Sequence, residues 1–416
     1  YQRTFGADDA RAIRDAMKQD LGPSAFRARP WRAIWFLPMS LVIVGGIAAI
    51  LTLGLPWWGN LMIAVMVGHT LGCQALLAHE VLHGALGMSR RLQNLFGWIG
   101  FGPMMIPPEF WRRWHNVAHH AHTNLGDRDP DSFGTAHRYN KHPKLANFTK
   151  LAPGSGTWYS YFFLFYSFMF HAQLVLWMQT RRREEFKGFE RNKAIRQALL
   201  CGAAWLVLAV LSGPLALFTV LIPLMMANAL GQGYILTNHM LRPQMDNNHP
   251  VDNSMSVRQL RWLDPLHFHF SHHVEHHLFP KMGSDQAPKV RAWLQREMPD
   301  RYVCPSHARA LVALYQTPRV YQDAHTLVDP LDRSRTVDVM ALQGELRALP
   351  DPYADLLTHA VHWCRQRLDR EQQARARHGF RHSSPSPARR VRPGHSWRLA
   401  AMSVMSVPSR RCSSVA

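Results

Sequence analysis

Long uncharged apolar runs constrain this chain more than anything else in it. "AIWFLPMSLVIVGGIAAILTLGL" (Ala33–Leu55) carries no charge over 23 residues. At ~1.5 Å rise per residue, such a helix crosses a hydrocarbon core of about 30 Å. A second run, Leu61–Ala78, follows after the link "PWWGN", whose Trp57 and Trp58 suit a membrane–water interface. Two more runs, Gln197–Leu211 and Pro214–Ile235, are separated by an uncharged "SGP" and read as a helical hairpin through the membrane. A fifth, Trp158–Met178, is long enough to span but contains His171 and Gln173. Arg27, Arg29 and Arg32 precede the first run, and the Trp link has no Lys or Arg. The N-terminus is therefore expected in the cytoplasm. A secretory signal is not expected, because a second span follows the first at once.

The second feature is histidine density. "HEVLH" places His79 and His83 four residues apart, on one face of a helix. "WHNVAHHAHTN" holds His115, His119, His120 and His122, and "FSHHVEHHLFP" holds His272, His273, His276 and His277. Neighbouring residues on a helix point about 100° apart, so adjacent histidines can serve two different metals. A His-rich surface loop explains one such cluster but explains three poorly, since all flank membrane segments. His69 and His171 stand alone on apolar faces and read as core residues held by single hydrogen bonds. "HEVLH" also fits the zinc-protease pattern with Glu80 as base, but at least eight candidate rings exceed the needs of one zinc. Imidazole ligation leaves iron and zinc both open.

Topology tests whether the clusters meet. The run Leu92–Met105 is too short and too broken by Gly and Pro to span. If Trp158–Met178 lies in the interface or re-enters, all three clusters emerge on the cytoplasmic side. Arg112, Arg113, Lys141, Lys144, Arg181–Arg183 and Lys187 then lie there too. The chain has 48 Lys and Arg against 28 Asp and Glu, a net charge of +20. Its position at the inner face and in the tail points to lipid headgroups or an acidic protein, and not to nucleic acid. The five cysteines form no CxxC pair, against a zinc ribbon or an iron–sulfur site.

In order and separation, the three clusters resemble the histidine boxes of the membrane-bound fatty acid desaturases. "RRWHNVAHHAHTN" and "VEHHLFP" are most similar to the bacterial and front-end acyl-lipid branch. The resemblance covers about residues 35–300. It implies an all-α membrane protein with four transmembrane helices and a cytosolic helical cap carrying a dimetal site. Carried over by position, the metal ligands are His79, His83, His115, His119, His120, His273, His276 and His277, with His239 of "ILTNHM" as a ninth. Asn238 is a lesser, water-bridged contributor. His273 stands where the front-end branch often has Gln, and His272 is read as a bystander. The resemblance also implies two iron ions, O2 as co-substrate, and an acyl-lipid or acyl-carrier substrate. No haem-binding "HPGG" occurs, so electrons are expected from a separate ferredoxin or cytochrome b5 type donor.

Glu80, Asp127, Asp129, Asp131 and Glu275 are the candidates for orienting the rings through their outer N–H. The same scaffold also supports a lipid hydroxylase, a ketolase or a sphingolipid desaturase. The expected organisation is a polar segment over 1–30, a membrane domain over 31–300, a soluble helical tail over 301–374 and a disordered basic tail over 375–416. The whole is expected to be a multi-pass protein of the inner or plasma membrane, with histidine boxes and termini cytoplasmic.

Overall fold

The computed structural model describes Gly6 and residues 9–348, so the segment expected to be disordered, 375–416, lies outside the described residues. Among the described residues, four helical segments are long and apolar enough to cross a membrane: Pro23–Thr52, Trp57–Leu82, Arg191–Leu215 and Leu217–His239. Their outward faces carry bare apolar side chains such as Leu37, Val44, Leu206 and Leu211. Patches of this kind are stable against lipid and not against water. The Trp158–Met178 run breaks near Tyr166 into two helices bent by 72°. The Arg90–Phe101 helix has 12 residues and ends in a 3-10 turn, too short to cross.

The second segment shows where lipid gives way to protein. Between Trp57 and Thr70 several side chains face outward, whereas every residue from Leu71 to Leu82 is buried. The last three turns are thus enclosed by the rest of the chain, and they end in the first histidine pair. The second and fourth segments pack closely. A Cβ on Gly68 would lie 2.5 Å from the Pro223 carbonyl oxygen, so only glycine allows this approach. Arg32, one of the positive charges flanking the first run, is not at the surface but buried and paired with Glu80.

The polar N-terminal segment contains an amphipathic helix, Ala10–Leu21. Its Ile13 and Met17, one turn apart, pack fully buried against the Ala287–Glu297 helix. The stretch after residue 301 is not purely helical. Helices His307–Gln316 and Val339–Ala348 flank an antiparallel sheet of Val320–Tyr321, Thr326–Val328 and Thr336–Asp338. In that sheet Leu327 pairs with Val337. The β-branched and aromatic residues at these positions favour strand. This stretch also buttresses the loop after the fourth segment. Arg319 donates to the Met240 carbonyl at 3.0 Å, and the buried Tyr321 hydroxyl donates to that of Arg242.

Candidate metal centre

All nine histidines read from the sequence come together where the buried ends of the second and fourth segments meet the cap. Ligand atoms of His79, His83, His115 and His276 lie within 4.8 Å of one another, as do those of His119, His239, His273 and His277. His120 stands between the groups. Its Nε2 is 3.2 Å from that of His115 and 3.3 Å from that of His276, while its ring stacks on His277 at 4.2 Å. His272 falls outside the cluster, against Ser271 and Asp264.

The local backbone explains the division. His79 and His83 share one face at the end of an α-helix, with ring centroids 4.6 Å apart. His276 and His277 are adjacent on the His273–Leu278 helix and therefore go to different groups. His273, one turn before His277, joins the same group as His277. The second box departs from an α-helix: Arg112–His119 is a π-helix, and the His120 N–H donates to the His115 carbonyl. The wider turn brings His115 and His120 to within 4.8 Å between centroids and leaves His119 for the other group. π-turns of this kind are frequent at functional sites. The i,i+4 spacing of His115 and His119 thus puts the two rings in different four-histidine groups, although with Asp131 their ligand atoms also lie within 4.8 Å of one another.

The donor set suits cations. His115 Nε2 meets Nε2 of both His79 and His120, and His273 Nε2 meets Nε2 of both His239 and His277. Each such nitrogen carries one proton or one lone pair, so these contacts cannot all be hydrogen bonds. Convergent lone pairs are stable around a positive ion. Burial, reinforced by neighbouring rings, pushes His83, His115, His120, His273, His276 and His277 well below the usual imidazole range. Neutral imidazole is the form that binds metal. Asn238 is fully buried beside His239, and neither side-chain polar atom has a partner among the described residues. That orphaned amide fits a water between it and a bound ion.

The carboxylates divide differently from expectation. His119 Nδ1–H donates to Asp129 at 3.0 Å, with Asp131 at 3.2 Å. Burial alone would lower the His119 pKa, but these two carboxylates push it up to about 9. Asp131 also accepts from Trp114 Nε1 at 2.7 Å and from His171 at 3.1 Å. His171, read as a core residue with one hydrogen bond, thus makes that bond to a carboxylate of the site. Its position in an apolar run gave no such signal. Asp127 accepts from Thr135 in its own loop.

Glu80 and Glu275 do not orient rings. Glu80 accepts from Arg32 at 3.0 and 2.9 Å and from Ser284 N and Oγ at 3.1 and 2.9 Å. Glu275 accepts from Ser256 and Tyr302, both at 2.5 Å, and from Arg291 at 3.3 Å. Each carboxylate is saturated by donors distant in sequence, which a local motif cannot reveal. A Glu80 held this way is also not free to act as the base of a zinc protease.

A narrow, partly open cavity adjoins the cluster. His79, His115, His119, His239 and His273 form its polar wall. Gly72, Leu76, Phe168, Ala227 and Gly231 line its apolar part, inside the helix bundle.

A helical membrane bundle whose spans deliver histidine-rich ends to a buried, cation-ready cluster defines the class of protein. The fatty acid desaturase family model matches residues 55–308, and the chain belongs to that family. It is also 30% identical over 117 residues to the sn-1 oleoyl-lipid 12-desaturase of Picosynechococcus sp. (strain ATCC 27264 / PCC 7002 / PR-6). That match covers 28% of this chain and 33% of the relative, so the chain spans about a third of the length of that protein.

Proposed function

We propose that the chain is an O2-dependent di-iron desaturase that introduces a double bond into the acyl chain of a membrane lipid. The observation that carries this reading is the nine-histidine cluster opening directly onto an apolar cavity. His79, His83, His115 and His276 would hold one iron. His119, His239, His273 and His277 would hold the other, with His120 between them. Two irons supply an oxidant strong enough to take hydrogen from an unactivated CH2–CH2, which no side chain provides. The balance is one CH2–CH2, O2, two electrons and two protons giving CH=CH and two waters. The electrons come from a separate ferredoxin or cytochrome b5 type protein. A polar headgroup stays at the water side while the apolar tail descends past the rings toward Gly72 and Gly231, because burying the headgroup would be costly. Asp129 and Asp131 fix the His119 ring. The exposed aromatics Trp158, Tyr161, Phe162 and Trp177 support an interfacial placement of the bent pair. Four crossings then put all three histidine boxes and the N-terminus at the cytoplasmic face.

Fatty-acid profiling of a host expressing the protein, with and without His276→Ala, tests the proposal. A new double bond is expected with the wild type and not with the variant, together with about two irons per chain in the purified wild type. A new hydroxyl group would transfer the reading to a hydroxylase on the same scaffold. One zinc and no iron would overturn it.

A further inference from the structure

A third set of donors lies outside the nine rings. His69 and Cys73 stand one helical turn apart on the second segment, at the level where it leaves the lipid-facing zone. His267 reaches them from the turn that leads into the third histidine box. Nε2 of His69 and Nε2 of His267 are 2.9 Å apart, and Cys73 Sγ lies 3.7 and 3.8 Å from the two His69 ring nitrogens. One donor atom from each residue falls within 4.8 Å of the others. Nε2 pairs in the nine-ring cluster stand at 2.7 to 3.3 Å, so the His69–His267 pair matches them. A tetrahedral zinc with Zn–N of about 2.0 Å and Zn–S of about 2.3 Å sets N and S about 3.5 Å apart, close to the sulfur contacts here.

Two observations show that His267 is held in place. The Tyr234 hydroxyl lies 2.8 Å from its Nδ1, so that Nδ1–H can donate outward while Nε2 faces His69 and Cys73. Metal-bound histidines are oriented by this kind of outer hydrogen bond. The next two residues, Phe268 and His269, have φ of 51° and 55°. Successive left-handed conformations are unfavourable for residues with a Cβ, and persist where surrounding contacts over-determine them.

We propose that His69, Cys73 and His267 form a binding site for one zinc ion, separate from the nine-histidine centre. The sulfur donor favours a borderline or soft ion and disfavours magnesium and calcium. Binding exchanges the thiol proton for the metal: Zn2+ and Cys–SH give Cys–S–Zn+ and H+, with the proton released to water and no change of oxidation state. Three protein ligands leave a fourth position for water. The ion clips the segment carrying the third histidine box to the helix carrying the first.

The test uses the purified full-length protein in detergent. After exposure to zinc and dialysis, one zinc per chain bound through sulfur is expected. Titration with cobalt(II) is expected to give a thiolate-to-cobalt charge-transfer band, since the nine rings offer no sulfur. The band is lost in Cys73→Ser and kept in Cys201→Ser. Should Cys73→Ser fail to fold, absorption spectroscopy at the zinc edge of the wild type decides. One sulfur and two imidazole nitrogens around zinc support the site. No sulfur around the metal, no charge-transfer band in the wild type, or a band that survives Cys73→Ser overturns it. None of these readouts depends on iron or on lipid oxidation.

Discussion

Replacing Glu80 with glutamine separates a structural role from a chemical one. The Arg32 and Glu80 side chains are each only 6% exposed, and their charged atoms meet at 2.9 Å. Ser284 adds two donors to the same carboxylate and accepts from Arg32 Nη2 at 2.6 Å. Three stretches of chain are thus joined at one buried point: the entry to the first segment, the first histidine box and the loop after the third. A glutamine amide in this position would turn its NH2 toward donors that need an acceptor, and would leave Arg32 with only the longer contact to Asp285, at 3.7 Å, to balance its charge. Breaking a buried pair in this way costs ~3–5 kcal/mol, whereas replacing both partners by apolar residues is often neutral. Glu80→Gln and Arg32→Met are therefore each expected to lower the thermal midpoint in detergent by similar amounts. The double variant Arg32→Met/Glu80→Leu is expected to recover most of the loss. Thermal unfolding followed by size-exclusion chromatography measures the midpoints, and metal analysis shows whether the rings stay assembled. A Glu80→Gln protein with wild-type midpoint and metal content but no activity would refute the reasoning and make Glu80 part of the chemistry.

Asp131→Asn removes a carboxylate that faces His119, His171 and Trp114. Metal affinity is expected to drop ~10–100-fold, read by chelator competition, with little change in the helical circular dichroism spectrum. Stability of the metal-free protein is expected to depend on pH through the buried rings. His83, His115, His120, His273, His276 and His277 have folded pKa values below their unfolded value of about 6.5. The unfolded chain therefore binds more protons below that pH, and stability present above about 6.5 is lost as pH falls. His119 has the opposite sign, and its contribution is lost as pH rises through about 9. Melting midpoints across pH that show no decline on the acid side would contradict this. Gly231→Leu is expected to shorten the cavity without disrupting the bundle. A Cβ there meets only the Phe168 ring, at 3.9 Å, whereas one on Gly72 would meet Leu230 at 2.7 Å. Long acyl chains should lose activity ~10–200-fold relative to short ones, measured by product profiling, and an unchanged chain-length profile would place the tail elsewhere.

Elements that local chemistry controls were readable directly from the chain. Twenty or so uncharged residues have few alternatives to a membrane helix, so the spans were legible from Ala33–Leu55 and its fellows. Histidine spacing was legible in part for the same reason: His79 and His83 share a face wherever the backbone is helical, and His276 and His277 must diverge, whereas the i,i+3 spacing of His273 and His276 did not foretell that His273 joins His277. Tertiary structure decided what depends on distant partners. Glu80 and Glu275 stand inside histidine boxes, yet their oxygens are taken by Arg32, Ser284, Ser256, Arg291 and Tyr302. Arg32 and Ser284 lie 48 and 204 residues from Glu80, so no local pattern predicts their arrival. The π-turn at Arg112–His119, which brings His120 toward His115, and the sheet after Val320 belong to the same category. Each is set by what packs around it, because a helix widens and a short strand pairs only when neighbours supply the contacts that the isolated segment lacks.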